Sequence, residues 1–293
     1  KTNFKDDQIL FSSVAYGGTS IFNDNEVVNA KLIKNVIALG GIDQFSTIDL
    51  SKILAGKSVN VSVAISNTTQ GLVGTSSAKD LETMMQVAYL TITKPRKDTE
   101  AYASFLTRLK NQLQNISSSP STALSDSLVN SIYGNNPRMQ RISLEDMNKF
   151  DYDRIIEMYK QVFANPATQI FTFVGSIDEG ILKTLVEKYL GALPKTNIKA
   201  EYRKTNADMR KGQYTNIFAQ KMENPKASSI TLYWGNLDRS LKSNITMSIL
   251  KQILDLVYMR TIREAEGGTY GVSTRAGIER APYDGRSTLQ IMF

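Results

Sequence analysis

The stretch YMRTIREAEGGTYGVSTRAG, residues 258–277, sets Arg263 and Tyr270 on either side of a glycine pair. A helical pattern enters this stretch and an alternating strand pattern leaves it. A guanidinium can fork onto a carbonyl or carboxylate, and a phenol can donate a hydrogen bond to negative charge. Such groups suit half of an active site, or an ordinary helix end. On the ordinary reading Arg263 complements the helix C terminus, Gly267 caps it and Tyr270 is a strand aromatic. Glu264 and Glu266 stand beside the arginine, where glutamates are commonly solvated. Gly268, Thr269 and Gly271 offer a possible strand edge on which a peptide could pair by β-augmentation.

The rest of the composition narrows the chemistry. The chain has no histidine and no cysteine. Disulfides, thiolate catalysis, thiolate metal sites and a Ser-His-Asp triad are therefore excluded. Protein zinc sites rely on His and Cys, so this chain is expected to hold no catalytic zinc of its own. No glycine-rich phosphate loop is present. The formal charge is +7, but the densest basic stretches, 94–97 and 201–212, are short and the second is diluted by acids. Nucleic acid is not an expected partner. No run approaches about 18 consecutive apolar residues, so no membrane span is expected. The first residues, KTNFKDDQILFSS, lack the apolar run and cleavage site of a signal peptide. The absence of cysteine is compatible with an envelope or periplasmic location, favoured here over the cytosol.

At 293 residues the chain can hold two domains, each with its own core. Residues 9–18 read as a strand, followed by a helix with Asp24 or Asn25 as N-cap and Gly40-Gly41 as its stop. A short helix over 47–56 precedes 58–66, where Val59, Val61, Val63 and Ile65 alternate on one face. Residues 69–77 supply the hairpin partner. Helical spacing returns over 78–93, with Leu81, Met84, Met85, Ala88 and Ile92 inward and Pro95 closing the helix. Helices are expected over 99–116, from Pro120 or Ser121 onward, and over 151–163 after a Ser143–Asp146 capping box. Residues 169–176 read as a buried strand and 178–194 as a helix. This order predicts an α+β domain over 1–196, with an antiparallel or mixed sheet and helices on one side.

Residues 197–212 are polar, without apolar periodicity, and read as a linker. From 213 the pattern restarts. Strands are expected at 213–220 and 228–236, a long helix over 243–266, then strands over 267–279 and 286–293. The restart repeats strand, turn, helix and double glycine, which suggests a degenerate duplication. Because the sequence stops within the apolar LQIMF, the second domain, 213–293, is expected to be incomplete.

Five pieces in order resemble the C-terminal, non-zinc-binding half of the pitrilysin or insulinase-type zinc peptidases. They are GGIDQFSTIDLSKILAGKSVNVSVAIS, DLETMMQVAYLTITKPRKDTEAY, DYDRIIEMYKQVFANPATQIFTFVGSID, GALPKTN and MRTIREAEGGTYGVS. The resemblance implies a pitrilysin-like (LuxS/MPP-like) metalloenzyme fold, with two homologous halves of two α+β domains each closing over a peptide. It implies that zinc sits in an N-terminal half, or a partner subunit, bearing an inverted H-x-x-E-H motif. The C-terminal half then contributes an arginine and a tyrosine, which correspond here to Arg263 and Tyr270. Tyr270 would stabilise the tetrahedral oxyanion and Arg263 would anchor the substrate backbone. The chain alone would be inactive. The competing reading is a non-catalytic peptide-binding or scaffold subunit that kept the peptidase fold.

Overall fold

Period-two alternation builds the first sheet. In a computed structural model of the protein, residues 7–293 are described apart from 118, 222, 225, 281, 282 and 284. β1 (Ile9–Tyr16) alternates buried and exposed residues along its whole length. After it come α1 (Val27–Gly40), α2 (Thr47–Ile53), β2 (Val59–Ile65) and β3 (Thr69–Ser76). Then follow α3 (Leu81–Thr93), α4 (Thr99–Ser117), α5 (Pro120–Tyr133), α6 (Tyr152–Val162), β4 (Ile170–Gly175) and α7 (Glu179–Leu185). The sheet runs β2-β3-β1-β4 with every pairing antiparallel. These elements belong to the first of two compact units, Lys1–Gln220; the second is Lys221–Phe293.

The core of the first unit lies on one side of its sheet. Ile9, Phe11, Val63 and Leu72 point inward and meet Ile33 and Val36 of α1, Met84, Met85 and Ala88 of α3, and Ile155, Met158 and Tyr159 of α6. Phe11 lies between Phe171 and Phe173 of β4, at ring distances of 6.2 and 5.1 Å. The other face is open. Across it the register lines up Asn60, Thr75, Leu10 and Val174, then Ser62, Val73, Ser12 and Thr172, then Ala64, Gly71, Val14 and Ile170. None of these side chains is charged, and Leu10, Val14 and Val174 are each nearly half exposed. β4 therefore differs from the buried strand expected at 169–176. It is an edge strand, and its outward residues Ile170, Thr172 and Val174 are exposed.

Two polar contacts tie the helices of this layer to one another. Thr91 lies four residues before Pro95, which has no N–H to donate to the Thr91 carbonyl. The Tyr159 hydroxyl supplies that hydrogen bond instead, at 2.6 Å. Burial pushes the Tyr159 phenol well above the ordinary tyrosine range, so it remains a donor. At the other end of the layer, Glu26 accepts from its own N-cap, Asn23, at 3.3 Å, and from Arg154 on α6 at 3.0 Å. Asn23 thus caps a short 3-10 turn, Asp24–Glu26, that leads into α1, whose own N-cap is Glu26 rather than the expected Asp24 or Asn25. The Ser143–Asp146 box forms as expected. Arg96, in the basic stretch 94–97, caps α1 by donating to the Gly40 carbonyl at 2.8 Å.

The polar stretch read as a linker is held along the first unit. Asn165 donates to the carbonyls of Thr196 and Ile198 at 2.9 and 2.7 Å. The Arg203 N–H reaches Ser20, the Tyr202 ring meets Tyr16, and the Arg210 N–H donates to Ile132 at 2.8 Å. Ala207 is buried. The strand expected at 213–220 does not form. Its apolar residues fall at 214, 217 and 218 rather than in alternation, no strand pairs with it, and Ile217 is 90% exposed. Asn216 ties it to Ser127 and Ser131 at 2.6 and 3.0 Å.

The second unit has β5 (Ile230–Asn236), α8 (Leu241–Tyr258), β6 (Ser273–Ile278) and β7 (Arg286–Met292). Its antiparallel sheet runs β5-β7-β6. The helix starts at Leu241 because Ser240 accepts from the Ser243 N–H at 3.1 Å, two residues before the expected 243. Among the described residues, no helix is long and apolar enough to cross a membrane.

Replacing Tyr159 by Phe leaves the Thr91 carbonyl buried without its donor. We expect this to lower the unfolding free energy by about 1–3 kcal/mol with an unchanged denaturant slope. Urea titration of the two proteins checks it; equal midpoints would show that the carbonyl finds another partner. Arg154 holds the Glu26 carboxyl below the ordinary glutamate value, against the opposing effect of burial. A depressed folded pKa contributes stability above the unfolded value of about 4.3, and this is lost as pH falls through the lower folded value. Glu26→Gln should therefore be less stable than wild type at pH 7, with the gap closing by pH 3. A gap independent of pH in urea melts would contradict this.

Candidate functional site

The two residues singled out by type and spacing stand where α8 gives way to β6. Its α-helical hydrogen bonding ends at Tyr258, and Met259–Ala265 continue as a wider π turn. This differs from the single α-helix expected over 243–266. Wide turns of this kind recur at functional sites. Arg263 lies in this turn, exposed, with Nη1 3.5 Å from the sulfur of Met259. Two backbone bonds close the turn: Glu266 N–H to Thr261 at 3.2 Å and Gly268 N–H to Ile262 at 3.1 Å. Gly267 reverses the chain at φ 61°, in the left-handed region that glycine enters without steric cost.

β6 begins only at Ser273, later than the strand expected from 267. Residues 267–272 therefore form a loop, with Gly268, Thr269 and Gly271 on it rather than on a strand edge. Thr269 organises the tip, donating from its hydroxyl to the Gly271 carbonyl at 3.1 Å and accepting from the Gly271 N–H at 3.3 Å. Between them Tyr270 is 99% exposed. Neither Arg263 nor Tyr270 is sealed into packed interior. A full-sized aromatic ring left in water gains nothing from burial, so packing within this unit does not account for its place.

A third polar residue was passed over in the sequence. Asp255 on α8 accepts from Lys251 at 2.6 Å and from the Thr274 backbone N–H at 3.0 Å. Its only signal in the sequence was the i, i+4 spacing from Lys251, which surface helices share. The Lys251 ammonium holds the Asp255 carboxyl below the ordinary aspartate value, helped by Thr274.

Among the described residues no three or more Asp or Glu side chains converge as a metal site, and histidine and cysteine are absent from the sequence. Carboxylates without histidine or cysteine do not make the ligand set on which protein zinc sites rely.

Comparison with known proteins places this geometry in context. Residues 149–292, which include Arg263, Tyr270 and Asp255, match the Peptidase M16 inactive domain. The chain is 24% identical over 195 residues to the zinc protease PQQL-like of Arabidopsis thaliana, covering 66% of this chain and 18% of that protein. Its fold matches the ferredoxin protease FusC, solved in complex with Arabidopsis ferredoxin, with a TM-score of 0.79 at 17% identity. That match covers 98% of this chain and 31% of FusC. The periplasmic protease PqqL from Escherichia coli gives a TM-score of 0.76 at 20% identity, over 100% of this chain and 32% of PqqL. A peptidase M16 inactive domain from Pseudomonas fluorescens gives 0.70 at 15% identity, over 98% of this chain and 69% of that one. The chain thus spans a third or less of the full-length proteases it resembles. With its antiparallel α+β units and a match to the Peptidase M16 inactive domain over 149–292, the chain is similar to the M16 zinc proteases, consistent with the C-terminal half of a pitrilysin-type peptidase.

Proposed function

We propose that this chain is the C-terminal part of a zinc-dependent endopeptidase or oligopeptidase. Zinc would be held in the N-terminal half or by a partner subunit, since the residues present here do not fit it. Each unit would contribute separately. The open, charge-free face of the β2-β3-β1-β4 sheet would form part of one wall of the substrate chamber, receiving uncharged stretches of polypeptide. The second unit would supply Arg263 and Tyr270, with Gly268, Thr269 and Gly271 alongside as backbone contacts for the peptide.

The observation that carries this reading is the 99% exposure of Tyr270 on a glycine-rich loop within the matched domain. Peptide hydrolysis develops negative charge on the scissile carbonyl oxygen, and an exposed phenol is a donor suited to it. The Arg263 guanidinium can fork onto a substrate carbonyl or terminal carboxylate. That FusC was solved with ferredoxin bound supports a polypeptide as the substrate class. The PqqL likeness supports a periplasmic or envelope location. The second reading, a non-catalytic peptide-binding subunit, is favoured by the matched domain's description as inactive. An inverted H-x-x-E-H motif elsewhere in the complete protein or in a partner subunit discriminates the two.

The test uses the complete peptidase. Tyr270→Phe is expected to lower kcat by about 10²–10³-fold with KM little changed, as removing one oxyanion donor does. Arg263→Ala is expected to raise KM for peptides by roughly 10–100-fold, the loss of one charge-assisted hydrogen bond. Steady-state kinetics on a quenched fluorescent peptide reads both, and wild-type constants in both variants would remove the assignment.

A further inference from the structure

Tyr270 makes no packing contact that could hold it, so its position depends on how the loop is tied at its ends. At the helix end the tie is Gly268 N–H to Ile262, at 3.1 Å. At the strand end the first tie to the helix is Thr274 N–H to Asp255, at 3.0 Å. Residues 269–273 span the gap. Gly271 has open space around it and stiffens nothing, and Thr269 organises only the tip.

Asp255 is well built for this task. It sits on the helix that continues directly into the wide turn carrying Arg263, eight residues earlier. Its carboxylate is oriented from both sides: Oδ2 takes the Lys251 ammonium at 2.6 Å and Oδ1 takes the Thr274 N–H. Thr274 is 2% exposed, so without Asp255 its N–H would have little access to water as a replacement. One carboxylate thereby ties the strand that begins just after Tyr270 to the helix that bears Arg263.

We infer that Asp255, oriented by Lys251, is a positioning residue for Tyr270 within the Arg263–Tyr270 pair, fixing the start of β6 and with it the reach of the tyrosine loop. The inference rests on the functional reading of that pair given above. An aspartate that served only to pack a helix on a sheet would affect stability without selecting Tyr270. The positioning role predicts an effect passed through that one side chain.

The experiment combines two readouts. In the chain itself, labelled with 3-fluorotyrosine, the Tyr270 resonance is assigned by its loss in Tyr270→Phe, and Thr274 amide exchange is followed by NMR. Asp255→Ala should speed Thr274 exchange by at least about tenfold and broaden or shift the Tyr270 fluorine line. Asp255→Asn, which keeps an oxygen acceptor, should leave both closer to wild type. In the complete peptidase, Asp255→Ala should lower kcat by about 10–100-fold, with KM far less affected and most of the rate restored in Asp255→Asn. Added to Tyr270→Phe, Asp255→Ala should cost little more, because the two act through one group. Slow Thr274 exchange and an unchanged fluorine line in Asp255→Ala would overturn the positioning role. So would a loss of rate that multiplies in full on the Tyr270→Phe background. Wild-type turnover in Tyr270→Phe would instead remove the oxyanion reading, and the exchange and fluorine measurements would still decide the tie to Asp255. Should Asp255→Ala fail to fold, Lys251→Met together with Asp255→Asn carries the same comparison.

Discussion

A β-sheet has two faces, and in the first unit one of them takes nearly the whole apolar core. Ile9, Phe11, Val63 and Leu72 are inward, and α1, α3 and α6 close over them. The strand period of two then dictates what remains: every second residue of four strands must face away from the helices. Here those residues are uncharged across all four strands, in a chain where 22% of residues are charged. A purely solvated face is usually lined with charge, as the outer faces of antiparallel sheets commonly are. The placement of the helices and the character of the open face are therefore one constraint, and the proposed chamber wall follows from it.

That constraint was readable wherever a single period governs a segment. The alternation of Val59, Val61, Val63 and Ile65 set the inward face of β2, and Leu81, Met84, Met85, Ala88 and Ile92 of α3 are all buried as their spacing required. It was less readable at β4, where IFTFV looks apolar throughout. Only the sheet order shows that it lies at the edge with one side uncovered. The polar stretch 197–212 carries no such period for the opposite reason. It lacks periodicity because backbone groups and short amide side chains, from Asn165 to Asn136, hold it in place rather than an apolar stripe. Contacts of that type leave no repeating pattern in a sequence.

The local geometry around Arg263 and Tyr270 was legible in part. Two residue types flanking a glycine pair marked the place, and the structure sets both on exposed positions of one helix end and loop. What the spacing did not reveal was that three different local geometries succeed one another there: α-helix, wide turn and irregular loop. Propensity rules distinguish helix from strand, but a π turn has the same residue preferences as the helix it extends. The pairing of Asp255 with Thr274 was equally hidden. It joins a side chain to a backbone amide nineteen residues away.

The wide turn changes the direction of every side chain beyond it. A π turn accommodates roughly one residue more per turn than an α-helix of the same rise, so it amounts to an insertion absorbed without a loop. Upstream of Met259 the helix keeps ordinary register, whereas from Arg263 onward every side chain is rotated relative to where a continuous α-helix would point it.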